Sequence, residues 1–316
     1  MRAIDLFCGA GGSSLGAMAA GFEIVAGFDI WPVAGSVYRA NVPRARLHLC
    51  DLAMLRESDI RSIYGDLGDV DLILASPPCV DHSLARGARL PSLAGLDLPW
   101  CVWAFARVFL PRWIVVENVV QMRRWHDYRP FLCALMSLGY RVRVCILDAA
   151  DFGVPQRRRR LYIVCDREAE PLEVAPRMSE RIPAARVIDL DGYAYTPLCT
   201  PRRARATIER VERALRVLGR DVAFISVYYG SGPQWQTLDV PLRTVTTSGH
   251  FALVRPDRRG GHEMRMLQVD ELRRAMSFPV WFDFGGCTRT DTMRLLGNAV
   301  CPPVMQAIVE ELMRCA

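Results

Sequence analysis

The sequence predicts an α/β protein: a doubly wound, mostly parallel sheet with a second, smaller region attached. Three observations predict it. Short apolar runs alternate with helical patterns through the first half of the chain. A glycine-rich turn follows the first of those runs directly. Beyond Cys165 the alternation stops and a stretch rich in Pro and Arg takes over. The chain has 316 residues, 51% of them hydrophobic, enough for one large domain and a smaller one.

Ala3–Phe7, Glu23–Phe28, Arg46–Leu49, Val70–Ala75 and Trp113–Val116 are short apolar runs of the kind that form buried parallel strands. Between and after them, Ser13–Ala20, Pro32–Asn41, Leu98–Leu110 and Pro130–Leu138 carry helical patterns. Arg141–Leu147 and Arg160–Cys165 then read as a hairpin-like pair that closes the sheet. Within residues 166–240 one helix stands out, Arg202–Leu218, with Ile208, Val211, Leu215 and Leu218 as its apolar stripe. Its Arg205, Arg210, Arg213 and Arg216 lie off that stripe, as a solvated face or a phosphate-contacting one. Helical patterning returns from about Gln268 and ends with Pro302–Met313. Three units follow: one over 1–165, a small one over 166–267 and a C-terminal segment over 268–316.

The net charge is +6, and every basic residue is arginine. Arginine's planar fork suits phosphates and base edges, so nucleic acid is permitted as a partner but not demanded. The 11 cysteines form no CxxC pair and no Cys/His cluster at zinc spacing, so no metal site is expected. Several, such as Cys133, Cys145 and Cys165, lie in apolar runs and read as buried thiols. Their odd number, and a first strand that leaves no room for a signal peptide, fit a reducing cytoplasm. The most apolar long stretch, Trp100–Val116, is broken by Arg107, Pro111 and Arg112 and is too short to span a bilayer, so no membrane partner is expected.

The run Val70–Ala75 feeds straight into Ser76-Pro77-Pro78-Cys79. Two prolines cannot continue a strand, so the thiol is presented on a stiff loop at a strand's carboxyl end, where open α/β sheets bind ligands. It reads as a nucleophile or as a small buried hydrophobe. The turn Asp5-Leu6-Phe7-Cys8-Gly9-Ala10-Gly11-Gly12-Ser13-Ser14-Leu15-Gly16 matches neither GxGxxG nor a phosphate loop, and on its own it suits NAD, ATP or S-adenosylmethionine. Asp29 and Asp51 end the second and third strands, placed to accept from ribose hydroxyls and from an exocyclic amine. Glu117 follows Ile114-Val115-Val116 directly. Desolvation there would raise its pKa into the range of a useful acid. Cys79 and Glu117 end neighbouring strands in this winding and would share one pocket.

Five motifs in order carry a resemblance. DLFCGAGGSSLG, SPPC, VENV, the run Gln156-Arg157-Arg158-Arg159-Arg160 and the terminal Gly297-Asn298-Ala299-Val300 span nearly the whole chain. Arg265-Met266-Leu267, Glu271-Leu272 and Ser277-Phe278-Pro279 match the block ahead of the last. In these the chain resembles the DNA (cytosine-5) methyltransferases. The resemblance implies a Rossmann-like S-adenosylmethionine-dependent fold, with a catalytic and cofactor-binding domain over 1–165, a small target-recognition domain over 166–267 and a C-terminal segment over 268–316 that returns to the first domain. It implies attack of Cys79 on C6 of a flipped cytosine, Glu117 acting at N3, and Gln156, Arg158 and Arg160 holding the nucleotide and intermediate. Phe7, Gly9, Gly11, Asp29, Asp51, Pro78 and Asn298 map onto the cofactor pocket, with Phe7 stacking on adenine. Ser83 and Asn118 map onto the substrate side. Double-stranded DNA is the implied partner, a cognate restriction endonuclease is a second one that the sequence leaves open, and a monomer suffices for one flipped base.

Two departures stand out. The ribose-binding acid is commonly glutamate, and here it is Asp29. After Cys79 the family's glutamine and phenylalanine are replaced by Val80 and His82, although Ser83 fits. In the small domain the candidate readers are Tyr228, Tyr229, Gln234, Trp235 and Thr246, with Gln234 suited to adenine edges. Two rivals stand beside the leading reading: methylation of tRNA, and a catalytically idle nucleic-acid binder.

Overall fold

The computed structural model describes residues 1–78, 98–230 and 232–314. A seven-stranded sheet runs in the order β3-β2-β1-β4-β5-β8-β6. Its strands are β1 (Arg2–Leu6), β2 (Glu23–Asp29), β3 (Arg46–Leu49), β4 (Leu72–Ala75), β5 (Trp113–Asn118), β6 (Arg141–Asp148) and β8 (Arg159–Asp166). The first five are parallel, and β8 pairs antiparallel with both β5 and β6. This is the doubly wound sheet with its closing antiparallel pair. Winding reverses at β1, which has β2 on one side and β4 on the other, and that reversal opens a crevice at the strands' carboxyl ends.

The helices α1 (Gly12–Ala19), α2 (Pro32–Asn41), α3 (Glu57–Tyr64), α4 (Leu98–Phe109) and α5 (Tyr128–Ser137) connect these strands. Pro32 starts α2 because a first-turn proline lacks only an N–H that has no partner there. The sequence reading passed over α3, a short helix with two acids in its first turn and Gly65 at its end. One face of the sheet packs on α3, α4 and α5 through Phe28, Phe105, Phe131 and Leu135. The other face joins α1 and α2 to the C-terminal helix α9 (Pro302–Arg314). Gly16 permits that docking: a Cβ there would lie 2.5 Å from the Pro302 carbonyl oxygen and 2.7 Å from Met305 Cβ.

The small region is richer in strands than its sequence suggested. Beyond α6 (Arg205–Leu218) it holds a five-stranded antiparallel sheet in the order β11-β10-β13-β14-β9. These are β9 (Thr196–Pro197), β10 (Phe224–Val227), β11 (Trp235–Thr237), β13 (Phe251–Pro256) and β14 (His262–Met266). Strands of two to six residues give too little periodicity to read. On one face Val211, Ala214 and Leu215 of α6 pack against Phe224, Ala252 and Val254. On the other, Ile225, Val227 and Leu253 join the core of the large domain. A two-stranded parallel sheet, β7 (Gln156–Arg157) with β12 (Leu242–Arg243), stitches the two regions. The chain then forms α7 (Val269–Ala275) and α8 (Arg289–Asn298) before α9.

The cysteine expectation needs correcting. Among the described residues only Cys8, Cys165 and Cys301 are buried, while Cys133 and Cys199 are exposed. Cys133 sits on the outer face of α5, which an apolar run alone could not reveal. No helix among the described residues is long and apolar enough to cross a membrane, and no group of three or more could hold a metal ion.

Candidate active site

A cavity of about 560 Å³ occupies the crevice at the carboxyl ends of β1, β2, β4 and β5. Phe7, Gly9, Asp29, Asp51, Pro78, Glu117, Arg158, Arg160 and Asn298 all line it. The glycine-rich turn is built by backbone chemistry. Phe7 leaves β1 at φ 58°, a left-handed conformation uncommon outside glycine, and so turns the chain sharply. Gly9 N–H then donates to Asp29 Oδ2 at 2.8 Å, and Trp31 N–H donates to Asp29 Oδ1 at 2.8 Å. Asp29 thus ties the turn to the start of α2. Gly11, in contrast, is not part of the cavity wall. It caps α1 at φ 87°, and a Cβ there would meet the Tyr38 ring at 3.2 Å. Its place in the pocket set is corrected: it shapes the turn from behind. Asp51 is exposed at the rim, where its Oδ1 accepts from Ala53 N–H at 3.0 Å.

Beneath the turn lies a buried acid. Ser14 donates to Asp5 Oδ2 at 2.6 Å, Tyr38 meets the same hydroxyl at 2.8 Å, and Asp5 Oδ1 has no partner. Burial pushes Asp5 up to about 7, with the Asp29 charge adding to it and Ser14 opposing.

Glu117 is buried at the end of β5. Val116 pairs with Ala75, so Glu117 stands beside the start of the Ser76-Pro77-Pro78 loop. Burial raises its carboxyl above the ordinary value, against the pull of Arg160 and Arg158. Arg160 Nε lies 3.1 Å from Glu117 Oε1. Asn118 donates to the Pro77 carbonyl at 3.2 Å and accepts from Val119 N–H at 2.8 Å. Asn118 thereby positions the proline loop while lining the same cavity. Cys79 and Ser83, with Val80 and His82, lie outside the described residues.

The arginine run divides. Arg158 and Arg160 both line the cavity, yet only Arg160 is committed to the acid. Gln156 donates to the Ala275 carbonyl at 3.1 Å and accepts from Val245 N–H at 2.8 Å. Arg158 donates to the carbonyls of Val245, Gly297 and Ala299 at 3.0, 2.9 and 2.8 Å. Burial, with Arg160's like charge second, lowers Arg158 to about 10. The two side chains hold the Val245 peptide by both of its polar groups. They join the Val245 segment to the Gly297–Ala299 strip. Gln156 and Arg158 are buried while Arg157 and Arg159 between them are exposed, as in an extended segment.

The candidate readers of the small sheet also have partners. Tyr229 donates to the Thr244 carbonyl at 2.7 Å and its ring packs on Phe251. Trp235 packs against the α6 side of the sheet. Arg210 lies 4.5 Å over the Tyr228 ring. Gln234 Oε1 accepts from Arg210 and Arg213, so its accepting end is engaged. In this structure Tyr229 and Trp235 are engaged in packing. Sequence reasoning missed Trp31 and Arg294, which face each other at 4.4 Å on the cavity wall. The one available signal was a tryptophan two residues after the strand-end Asp29.

The donor set fits a nucleoside-bearing methyl donor. Acids stand at two successive strand ends, the turn offers backbone N–H groups, and Phe7 and Trp31 give apolar walls. Comparisons with known proteins agree with the geometry. A family model described as C-5 cytosine-specific DNA methylase matches residues 1–314. The chain is 30% identical to "Type II methyltransferase M.HgiDI" of Herpetosiphon aurantiacus, over 95% of this chain and 90% of that protein. It is 30% identical to "Type II methyltransferase M.HindV" of Haemophilus influenzae, over 95% and 92%. Among solved structures, a putative DNA modification methyltransferase encoded within a prophage of E. coli superposes with a TM-score of 0.70 at 19% identity, covering 100% of this chain and 99% of that one. The S. pombe Dnmt2 methyltransferase superposes at 0.71 with 18% identity, covering 99% and 98%, which like the former speaks to the fold. With a match along its entire described length and relatives similar over nearly all of theirs, this chain belongs to the C-5 cytosine-specific DNA methylase family.

Proposed function

We propose that this protein methylates C5 of cytosine within duplex DNA, with Cys79 as nucleophile and Glu117 as the acid beside it. Family membership makes the chain a DNA (cytosine-5-)-methyltransferase that uses S-adenosylmethionine. One observation supports the residue assignments most: Glu117 is buried, raised in pKa and faced by Arg160, at the end of the strand next to the one that leads into Cys79. Cytosine C5 is a poor nucleophile. A bond from the Cys79 sulfur to C6 makes C5 enamine-like, and a protonated Glu117 donates at N3 to take up the charge that develops. When bound, S-adenosylmethionine supplies the methyl group. Phe7, Gly9, Asp29, Asp51, Pro78 and Asn298 would hold it. Loss of the C5 proton then restores aromaticity and expels the thiol. Because a stacked base cannot reach this crevice, the target is flipped out of the duplex.

The finer settings belong to the same proposal. The Type II names of the two relatives support a partner restriction endonuclease that reads the same site. A monomer in the cytoplasm suffices for the reaction. The test is a duplex carrying 5-fluorocytosine at the methylated position. It should give an adduct that survives denaturation with the wild type and none with Cys79→Ser. A site that is methylated normally yet never traps contradicts the covalent route.

A further inference from the structure

Gln234 stands just before β11, and its backbone carbonyl accepts from Val227 N–H at 2.8 Å, which fixes the residue at the mouth of the β10–β11 hairpin. Its side-chain oxygen accepts from Arg210 Nε at 3.1 Å and from Arg213 Nη2 at 3.0 Å. Arginine carries donors only, so the atom facing both guanidinium groups is the oxygen and the amide's orientation is set by chemistry. An amide oxygen has two lone pairs, and both are engaged. Neither arginine meets a carboxylate among the described residues, and Arg210 is steadied by the Tyr228 ring 4.5 Å away. The Gln234 NH₂ group has no described acceptor and remains a pure donor.

Glutamine reads adenine by accepting from N6 while donating to N7, and here the accepting half is engaged. Guanine's major-groove edge presents two acceptors, N7 and O6, and no donor. Guanine satisfies both N–H groups of the Gln234 amide, whereas adenine accepts one at N7 and sets its N6 amino group against the other, thymine offers O4 alone, and cytosine offers only its N4 amino group. We propose that Gln234 is a specificity-determining residue that reads one guanine of the recognition sequence as a donor only, its oxygen held back by Arg210 and Arg213. This rests on the reading of the chain as a DNA cytosine methyltransferase whose small sheet faces the duplex.

The test uses the full chain, S-adenosylmethionine and a duplex library randomised around cytosine, with methylated products sequenced. In the wild type one guanine should be strongly preferred. Gln234→Glu keeps both arginine contacts but has no donor, and should reduce the preference at that guanine alone by about 5- to 150-fold. The double variant Arg210→Met with Arg213→Met frees the oxygen and should admit adenine at the same position. In the wild type, 7-deazaguanine there should lower the rate several-fold, which keeps the test open even where a variant fails to fold. Unchanged site preference in Gln234→Glu, a change at an adenine, thymine or cytosine instead, or indifference to 7-deazaguanine at every guanine would overturn the proposal. A wild type that methylates no duplex at all would overturn the functional reading beneath it as well, and so marks a different failure.

Discussion

The two sheets place their polar groups in opposite ways. The large sheet does it at strand ends: Asp29, Asp51 and Glu117 each follow a parallel strand and reach the crevice by position along the chain. In the small sheet the polar groups engage one another, as Arg210 and Arg213 both donate to the Gln234 amide oxygen and leave its amino group without an acceptor among the described residues. Gln156 and Arg158 lie at the join between the two sheets and tie Val245 to the end of α8. Changes in the large sheet should therefore alter how fast the reaction runs, changes at the join whether the protein holds together, and changes in the small sheet where it acts.

The largest expected effect falls on Glu117. Glu117→Gln should lower kcat by about 10²- to 10⁴-fold with little change in melting temperature, checked by single-turnover kinetics and calorimetry. A large stability change with modest rate loss would place the residue in the join instead. Arg158→Met should do the reverse. It strips three buried carbonyls of their donor and should destabilise by about 3–5 kcal/mol in denaturant unfolding. Arg160→Met touches one carboxylate and one local carbonyl, and should cost stability little. Arg160 favours ionised Glu117, so removing it should let the acid stay protonated to higher pH. The alkaline limb of the kcat profile should then move up.

How much of this was legible follows the same division. Strand-end acids are readable because an apolar run and the residue that ends it are neighbours in sequence. Glu117 and Asp29 needed only that, as did the start of α2 at Pro32. Gln156, Arg158 and Gln234 were visible as polar residues in a motif, but their partners lie 119, 139 and 21 residues away among the contacts made, and nothing local announces them. Gly11 was assigned to the pocket because glycine-rich turns approach ligands, whereas its own need was a left-handed φ against Tyr38.

Two smaller effects sharpen the picture of the large sheet. Gly16→Ala sets a methyl group against the Pro302 carbonyl and Met305, and should cost about 1–3 kcal/mol by forcing α1 and α9 apart. Asp5→Asn tests the buried acid under the turn. Its folded pKa is raised from 3.8 to about 7, so the fold favours the protonated form. Its contribution is full below the unfolded value and is lost as pH rises through the folded one. Relative to the wild type, Asp5→Asn should gain on the order of 2 kcal/mol between pH 5 and pH 8, read from melting curves. A pH-independent difference would mean that Asp5 is already ionised in the fold.

The central claim is the reaction itself. Purified protein and S-adenosylmethionine labelled in its methyl group, offered mixed-sequence duplex DNA and total tRNA in parallel, with each product digested to nucleosides for mass spectrometry, tests it most directly. The account predicts label in 5-methyldeoxycytidine from the duplex. Label confined to 5-methylcytidine from tRNA, or none in either with the methyl donor still bound, would contradict it.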